Sequence, residues 1–115
     1  MEIWIYNQYT DQRESVEVNS PSVSIGRDET NEITLRSPFV SRKHAKIVQE
    51  GGAYLIECLG LNGATVANEP LAVHQRKKIN FGDEIRIGEF SLYMMEPAAR
   101  RVEGSGPLAT PRKAV

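Results

Sequence analysis

Apolar residues along this chain occur in short stretches in which apolar and polar positions alternate, and turn-forming residues separate these stretches. No long window shows the sustained spacing of three to four residues that marks an amphipathic helix. Alternation with a period of two is typical of β-strands that bury one face. The pattern predicts an all-β protein with candidate strands at residues 3–6, 15–18, 22–25, 33–35, 44–49, 53–58, 65–67, 77–79, 84–87 and 90–95.

Glycine-containing turns predict how neighbouring strands pair. Gly51-Gly52 and Gly88-Glu89 each lie between two candidate strands, and glycine reaches positive φ without a Cβ clash, so each turn predicts a β-hairpin. Many short strands joined by such turns predict a two-sheet antiparallel β-sandwich. The alternation places one face of each strand in the core, with Val16, Val18, Val23, Ile25, Ile33, Leu35, Ile85, Ile87, Phe90, Leu92 and Met94 as its candidate residues.

Composition divides the chain into a body and a tail. The chain has 115 residues, 40% hydrophobic and 25% charged, which is ordinary for one globular domain. Residues 1–96 carry ten Lys or Arg and fourteen Asp or Glu, a net charge of −4, whereas residues 97–115 carry four basic residues and one acidic residue, a net charge of +3. Because the tail is rich in Pro, Gly and Ala, we expect a domain at 1–96 and a flexible basic linker or tail at 97–115.

The remaining composition argues against several classes of protein. Cys58 is the single cysteine, so no intrachain disulfide forms, and a reducing cytoplasmic location is expected. No apolar run approaches the length of a membrane span, which predicts no membrane partner. The total net charge of −1 also argues against nucleic acid, although Arg76-Lys77-Lys78 forms a local basic cluster. We expect a monomer, which can form part of a larger multidomain chain.

Sequence motifs of enzymes are absent. The chain contains no phosphate-binding Gly-x-x-x-x-Gly-Lys-Ser/Thr loop, no Gly-x-Gly-x-x-Gly turn, no Gly-x-Ser-x-Gly elbow and no His-Glu-x-x-His pair. Two histidines and one cysteine do not make a Cys-rich zinc site. We therefore predict no catalytic residues, no metal and no cofactor.

Gly26-Arg27 forms the first candidate binding group, directly after a predicted strand. An arginine at this position can direct its planar guanidinium at an oxyanion, and this geometry suits phosphate. The alternative is a surface arginine that pairs with Asp28 or Glu29.

Ser41-Arg42-Lys43-His44 forms the second group. Residues 33–49 contain four Lys or Arg and no Asp or Glu, so an anion is attracted to this stretch. Ser41 offers a hydroxyl and a turn amide to phosphate oxygens. His44 is interpreted as a residue that holds the turn by a buried hydrogen bond, because no nucleophile motif accompanies it.

Asn62-Gly63 forms the third group. Asn-Gly is the strongest sequence signal for a type I′ hairpin turn, so folding alone can explain it. The Asn62 amide can alternatively bind the main chain of a ligand. The segment 82–88, Gly-Asp-Glu-Ile-Arg-Ile-Gly, is assigned to folding only, as a turn followed by a strand.

Taken in order, these groups and the segment 82–88 resemble the signature of the forkhead-associated (FHA) domain over about residues 3–96. The resemblance implies a two-sheet β-sandwich that binds a phosphothreonine peptide on loops at one end, without metal or cofactor. It implies phosphate-binding roles for Arg27, Ser41 and Arg42, and it implies that Asn62 binds the peptide main chain. Gly26, His44 and Gly63 are implied as the loop scaffold.

Two departures from the family pattern weaken the ligand assignment. Gly60 and Leu61 stand where the family usually has Ser or Thr, and one of those hydroxyls can reach the phosphate. A phosphate-independent protein assembly module is therefore the alternative function. A separate hypothesis concerns Thr110-Pro111, which resembles a proline-directed phosphorylation site that docks on a neighbouring copy, although it can equally be part of a linker.

Overall fold

The computed structural model describes residues 1–96, and these residues form eleven short β-strands. The predicted tail at 97–115, including Thr110, lies outside the described residues. No helix long and apolar enough to cross a membrane occurs within residues 1–96. In chain order the strands are β1 Glu2–Asn7, β2 Arg13–Glu17, β3 Ser22–Gly26, β4 Ile33–Thr34, β5 Ala45–Glu50, β6 Ala53–Cys58, β7 Ala64–Val66, β8 Glu69–Leu71, β9 Arg76–Ile79, β10 Glu84–Ile87 and β11 Phe90–Met95.

The strands form two sheets, as the predicted sandwich requires. One sheet has six strands in the order β2-β1-β11-β10-β7-β8, and the other has five in the order β4-β3-β5-β6-β9. Neighbouring strands are antiparallel except for β3 and β4, which pair in parallel over two residues, Ile25 with Ile33 and Gly26 with Thr34. This parallel contact differs from the fully antiparallel arrangement expected from the sequence.

The core between the sheets follows the predicted alternation. Val23, Ile25, Ile87 and Leu92 are fully buried, and the other predicted core residues are buried with one exception. Val16 is only partly buried, because β2 lies at the edge of its sheet. Cys58 is also buried, and burial raises the pKa of its thiol, which therefore stays protonated and serves packing.

Turn geometry confirms two predicted hairpins and corrects a third. Gly51 and Gly88 have positive φ in the turns that join β5 to β6 and β10 to β11. Ala67-Asn68, which joins β7 to β8, has positive φ at both positions, 50° and 68°, which is the type I′ pattern, and Gly51-Gly52 shares this pattern with 54° and 82°. The prediction of this turn at Asn62-Gly63 was wrong, because the strands on either side of it, β6 and β7, belong to different sheets.

Strand register brings three loops to one end of the sandwich. Ile25 near the end of β3 pairs with Ala45 at the start of β5, and Ala45 pairs with Cys58 at the end of β6. The loops that follow β3, precede β5 and follow β6 therefore leave the sheet side by side. These β3–β4, β4–β5 and β6–β7 loops carry the three candidate binding groups.

Candidate functional site

Backbone hydrogen bonds join the first two candidate groups directly. The Arg27 N–H donates to the Ser41 carbonyl at 3.0 Å, and the Asp28 N–H donates to the Arg42 carbonyl at 3.3 Å. A Cβ on Gly26 would overlap the Arg42 carbonyl, so glycine is required where the two loops approach each other. The structure thus brings Arg27, Ser41 and Arg42 into one place.

Arg27 is anchored by one nitrogen and leaves its other donors available. Its Nε donates to the Val40 carbonyl at 3.0 Å, and the side chain is otherwise exposed. Within residues 1–96 its terminal nitrogens make no hydrogen bond or ion pair. The alternative of an ion pair with a neighbouring carboxylate is contradicted, because Asp28 accepts from the Thr30 N–H at 3.1 Å and Glu29 pairs with Arg36 at 3.1 Å.

The backbone N–H of Ser41, which the sequence suggested as a donor to phosphate, is already hydrogen-bonded within the protein. Its N–H donates to His44 Nδ1 at 3.0 Å and is therefore not available to a ligand. Its hydroxyl, and the N–H groups of Arg42 and Lys43, have no partner among the described residues. Within residues 1–96 the amides next to Ser41 that have no partner are therefore those of Arg42 and Lys43, one and two positions after the Ser41 amide.

The positive charges of Arg42 and Lys43 act on the carboxylate of Asp28. The N–H of Thr30 is the main cause that lowers the pKa of the Asp28 carboxyl, and the positive charges of Lys43 and Arg42 lower it further. The side chains of Arg42 and Lys43 are exposed and form no ion pair in the described part of the chain. A positively charged surface therefore lies beside Arg27.

His44 lies behind the site, immediately before β5, and holds two loops together. It is completely buried. Its Nδ1 accepts from the Ser41 N–H at 3.0 Å, so its Nε2 carries the proton and donates to the Gly63 carbonyl at 2.8 Å. With both nitrogens occupied by backbone partners, His44 positions the β4–β5 and β6–β7 loops and has no free nitrogen for a ligand.

The packing of His44 explains one departure from the family pattern. A Cβ built on Gly60 would lie 2.5–2.7 Å from the atoms of the His44 ring, which is closer than side chains tolerate. Serine therefore does not fit at position 60 in this chain. Leu61, the second departure, is 88% exposed and has space for any side chain.

Asn62 and Gly63 complete the end of the sandwich. Asn62 Nδ2 donates to the Phe39 carbonyl at 2.9 Å, which ties the β6–β7 loop to the β4–β5 loop. The Gly63 N–H donates to the Gly60 carbonyl at 3.0 Å, and Gly63 takes a φ of 72°, which favours glycine. Asn62 itself remains exposed at the surface, on the side of the loops that faces solvent.

Two residues that the sequence analysis missed stabilise the site. Asn31 is 6% exposed, and its Nδ2 donates to the carbonyls of Asp28 at 2.8 Å and Arg42 at 2.7 Å. Ser37 donates to Glu89 at 2.7 Å and so joins the β4–β5 loop to the β10–β11 turn. Both residues are small polar side chains in loops, and nothing in the sequence distinguishes them from exposed neighbours.

An open cleft of about 700 Å³ lies beside this surface. Leu61 and Asn62 line one part of it, and Thr65, Pro70 and Arg86 line another. Arg27, Ser41 and Arg42 lie outside the cleft. The cleft therefore lies against the β6–β7 loop, which Asn62 joins to the β4–β5 loop through the Phe39 carbonyl. Among the described residues, no three His, Cys, Asp or Glu side chains are grouped to hold a metal ion.

Comparison with known proteins identifies the class. Residues 23–88 match the FHA domain, and this segment includes all seven predicted site residues. The chain belongs to the FHA domain family. Among its relatives, the glycogen accumulation regulator GarA of Mycolicibacterium smegmatis is 35% identical over 79 residues, which are 68% of this chain and 48% of GarA. The oxoglutarate dehydrogenase inhibitor of Corynebacterium efficiens is 34% identical over 84 residues, 71% of this chain and 57% of the inhibitor.

Solved structures agree with this assignment. EmbR of Mycobacterium tuberculosis in complex with a low-affinity phosphopeptide has a TM-score of 0.66 and 29% identity, covering 82% of this chain and 24% of EmbR. The amino-terminal FHA domain of yeast Rad53p in complex with a phosphothreonine peptide has a TM-score of 0.69 over 86% of this chain and 96% of that domain, and at 16% identity it supports the fold alone. This chain spans about half the length of the curated relatives that it matches.

Proposed function

We propose that this chain is a phosphothreonine-peptide recognition module that mediates phosphorylation-dependent contacts between proteins. One observation carries the proposal. The two terminal nitrogens of Arg27, the hydroxyl of Ser41 and the N–H groups of Arg42 and Lys43 lie on two loops joined by backbone hydrogen bonds, and these donors have no partner among the described residues. A phosphoryl group supplies about −1.5 to −2 charge and three acceptor oxygens, which match these donors.

The proposed roles follow from the geometry of each group. Arg27 and Ser41 bind phosphate oxygens, and Arg42 adds its backbone N–H and its positive charge. Asn62 binds the peptide main chain by exchanging its hydrogen bond with the Phe39 carbonyl for one with the ligand. Gly26, His44 and Gly63 hold the loops in place. Threonine is preferred over serine where its methyl group packs against the loops, worth about 0.8 kcal/mol.

The proposal places the chain among binding proteins and not among enzymes. The relatives carry the names of a regulator and of inhibitors, which fits a protein that acts by contact. We further propose a cytoplasmic location, which agrees with a single buried cysteine that forms no disulfide. We also propose that the chain is a monomer and that it requires no metal, cofactor, nucleic acid or membrane.

Fluorescence anisotropy with a degenerate phosphothreonine peptide library tests the proposal. We expect Arg27→Ala to weaken binding by at least ten-fold, since a charge-assisted hydrogen bond contributes roughly 1.5–3 kcal/mol. The matched control is Arg36→Ala, which removes an equal charge from an exposed arginine that pairs with Glu29. Equal affinity of the wild type and Arg27→Ala would show that the site is wrongly assigned.

A phosphate-independent assembly module remains the second candidate, because the exposed Leu61 replaces a hydroxyl residue of the family pattern. The two candidates differ in their response to phosphatase. A captured partner that stays bound after phosphatase treatment would favour the assembly module, and a partner that is released would favour phosphothreonine recognition.

A further inference from the structure

Strand β2, Arg13–Glu17, lies at the edge of the six-stranded sheet and pairs with β1 alone among the described strands. Four of its five residues are exposed, and Val16 is partly buried. The strand contains neither proline nor lysine, and no β-bulge interrupts its ladder with β1, so it lacks the usual devices that block an edge. The described residues therefore leave β2 open to pairing with a further strand.

Hydrogen bonds at the end of β2 show which of its backbone groups face the open edge. The N–H and the carbonyl of Val18 are both bonded to Met1, on the β1 side, at 2.7 and 2.9 Å. These directions alternate from residue to residue along a strand, so the backbone groups of Arg13, Ser15 and Glu17 point away from β1. The N–H and carbonyl groups of these three residues have no backbone partner within residues 1–96.

The charges of β2 are arranged so that the strand complements itself. Arg13 lies at one end and Glu17 at the other, with Ser15 midway between them. An antiparallel second copy of β2 centred on Ser15 places each Arg13 opposite a Glu17, on the same face of the sheet, and Ser15 opposite Ser15. All three residues direct their backbone groups at the shared edge, so each of these pairs exchanges two backbone hydrogen bonds.

The side chains of Arg13 and Glu17 are available for these contacts. The Arg13 guanidinium lies over the Tyr6 ring, 5.2 Å from the ring centre, and forms no ion pair in the described part of the chain. Glu17 accepts from the Met1 amino group at 2.9 Å through one carboxylate oxygen, and its side chain is 62% exposed. Each of the two residues therefore carries a charge that a second strand can approach.

Other registers that keep the same backbone groups at the edge are less favourable. A shift of the second copy by two residues in one direction places Glu14 opposite Glu14 in a non-hydrogen-bonded pair, where side chains are closest and like charges repel. The opposite shift places Val16 opposite Val16 and leaves Arg13 without Glu17. The charges of β2 therefore favour one register of pairing with itself.

We propose that β2 is a self-complementary edge through which two copies of this chain pair, antiparallel and centred on Ser15. The two six-stranded sheets then become one continuous sheet. A five-residue edge buries less surface than the roughly 1,000 Å² of a stable interface, so the chain is monomeric when dilute and pairs where it is concentrated. The pairing uses neither the proposed phosphate site nor phosphate itself.

This arrangement places the two proposed phosphate sites at opposite ends of the dimer. Arg13 pairs with Tyr6 near the end of β1, and shortly beyond it the Gln8 N–H donates to the carbonyl of Glu89 in the β10–β11 turn at 2.8 Å. Ser37 of the β4–β5 loop donates to the same Glu89, so this end of β2 is the end that carries the site. In an antiparallel pair these ends point in opposite directions, and the two copies can bind two separate partners.

Sedimentation equilibrium of the full chain without ligand tests the pairing. We expect the average mass to rise above the 12.8 kDa of one chain as its concentration increases from about 0.02 to 2 mM. Arg13→Glu and Glu17→Arg should each weaken pairing about ten-fold, because each replaces two attractive pairs by two repulsive ones. The double variant places opposite charges in register again and should pair as the wild type does. The matched control is Lys78→Glu, which reverses an exposed charge on β9, an edge strand of the other sheet, and should also pair as the wild type does.

Amide hydrogen exchange of the wild type identifies what occupies the edge. Protection of the Arg13, Ser15 and Glu17 N–H groups that grows with chain concentration supports pairing between copies. Protection that is equal at every concentration would show that a segment of the same chain covers the edge, and it would overturn the proposal. An average mass of one chain throughout the range, or pairing that both single charge reversals leave intact, would also overturn it. Phosphopeptide binding is measured separately, so the proposed function can fail while this inference stands, and the reverse.

Discussion

Replacing Gly60 with serine would restore the hydroxyl that the FHA family usually carries at this position, and we expect the change to destabilise the domain. Gly60 does not have positive φ, so its backbone accepts any residue. The obstacle is the His44 ring, whose atoms lie 2.5–2.7 Å from the position of the added Cβ. Because His44 is completely buried, the ring has no solvent-filled space into which it can move.

The magnitude follows from packing and from hydrogen bonds. Overpacking a filled core costs about 1–3 kcal/mol. Displacing the ring also weakens its bonds to the Ser41 N–H at 3.0 Å and to the Gly63 carbonyl at 2.8 Å, each contributing about 1 kcal/mol. The free energy of unfolding should therefore fall by about 2–4 kcal/mol, which for a domain of this size lowers Tm by roughly 10–30 °C.

Thermal and urea unfolding followed by circular dichroism test this expectation. The control is Leu61→Ser, which introduces the same side chain one residue later at a site that is 88% exposed, and it should change stability by less than about 0.5 kcal/mol. Phosphopeptide affinity of Gly60→Ser should fall as well, since Ser41 moves with His44. A Tm of Gly60→Ser within a few degrees of the wild type would show that the His44 ring does not restrict position 60.

Three further predictions concern the loops. Ala67→Gly should raise the free energy of unfolding by about 1 kcal/mol in urea titrations, because Ala67 holds a φ of 50° that glycine adopts without strain; an unchanged or lower value would contradict this. Asn31→Ala should lower the free energy of unfolding by about 1–3 kcal/mol, because the carbonyls of Asp28 and Arg42 each lose one of their donors, and an unchanged urea midpoint would disprove that role. The pKa of the Asp28 carboxyl is lowered in the folded state, mainly by the Thr30 N–H, so the ionised carboxylate stabilises the fold above the ordinary aspartate pKa and this stabilisation is lost as pH falls. The free energy of unfolding of Asp28→Asn should therefore be lower than that of the wild type at pH 6, and the two values should converge toward pH 2.

Sequence alone predicted the sheets well, because burial of one strand face imposes a period of two on the residues. Ile85, Ile87 and Leu92 are buried as expected. The period of two does not hold in β11, where Ser91 is also fully buried. The Ser91 hydroxyl accepts a hydrogen bond from the side chain of Gln8 at 2.7 Å and donates one to Glu84 at 2.6 Å. Side chains from other strands cover this position, and no local pattern records them.

The missed strand β8 has a different cause. No candidate strand was predicted at residues 69–71, where Pro70 cannot donate a ladder hydrogen bond. Because β8 lies at the edge of its sheet, it tolerates the proline. Edge position depends on the order of strands in the sheet, which is set by contacts between residues distant in sequence.

The candidate site shows the same division between local and distant information. Strand-end glycine and arginine at 26 and 27 and the segment 41–44 stand out in the sequence. The Ser41 N–H, expected to be available, is occupied by His44, and the structural duty of Asn31 depends on the carbonyl of Arg42, eleven residues away. These features depend on how two loops pack against each other, so residue type and spacing did not predict them.

An NMR titration of the isotope-labelled chain with a phosphothreonine peptide pool and its unphosphorylated counterpart tests the central claim most directly. We expect the phosphorylated pool to shift the backbone N–H signals of Arg42 and Lys43 and the side-chain Nε–H signal of Arg27, and the unphosphorylated pool to leave all three in place. Shifts confined to residues on the sheet faces, or identical shifts with both pools, would contradict it.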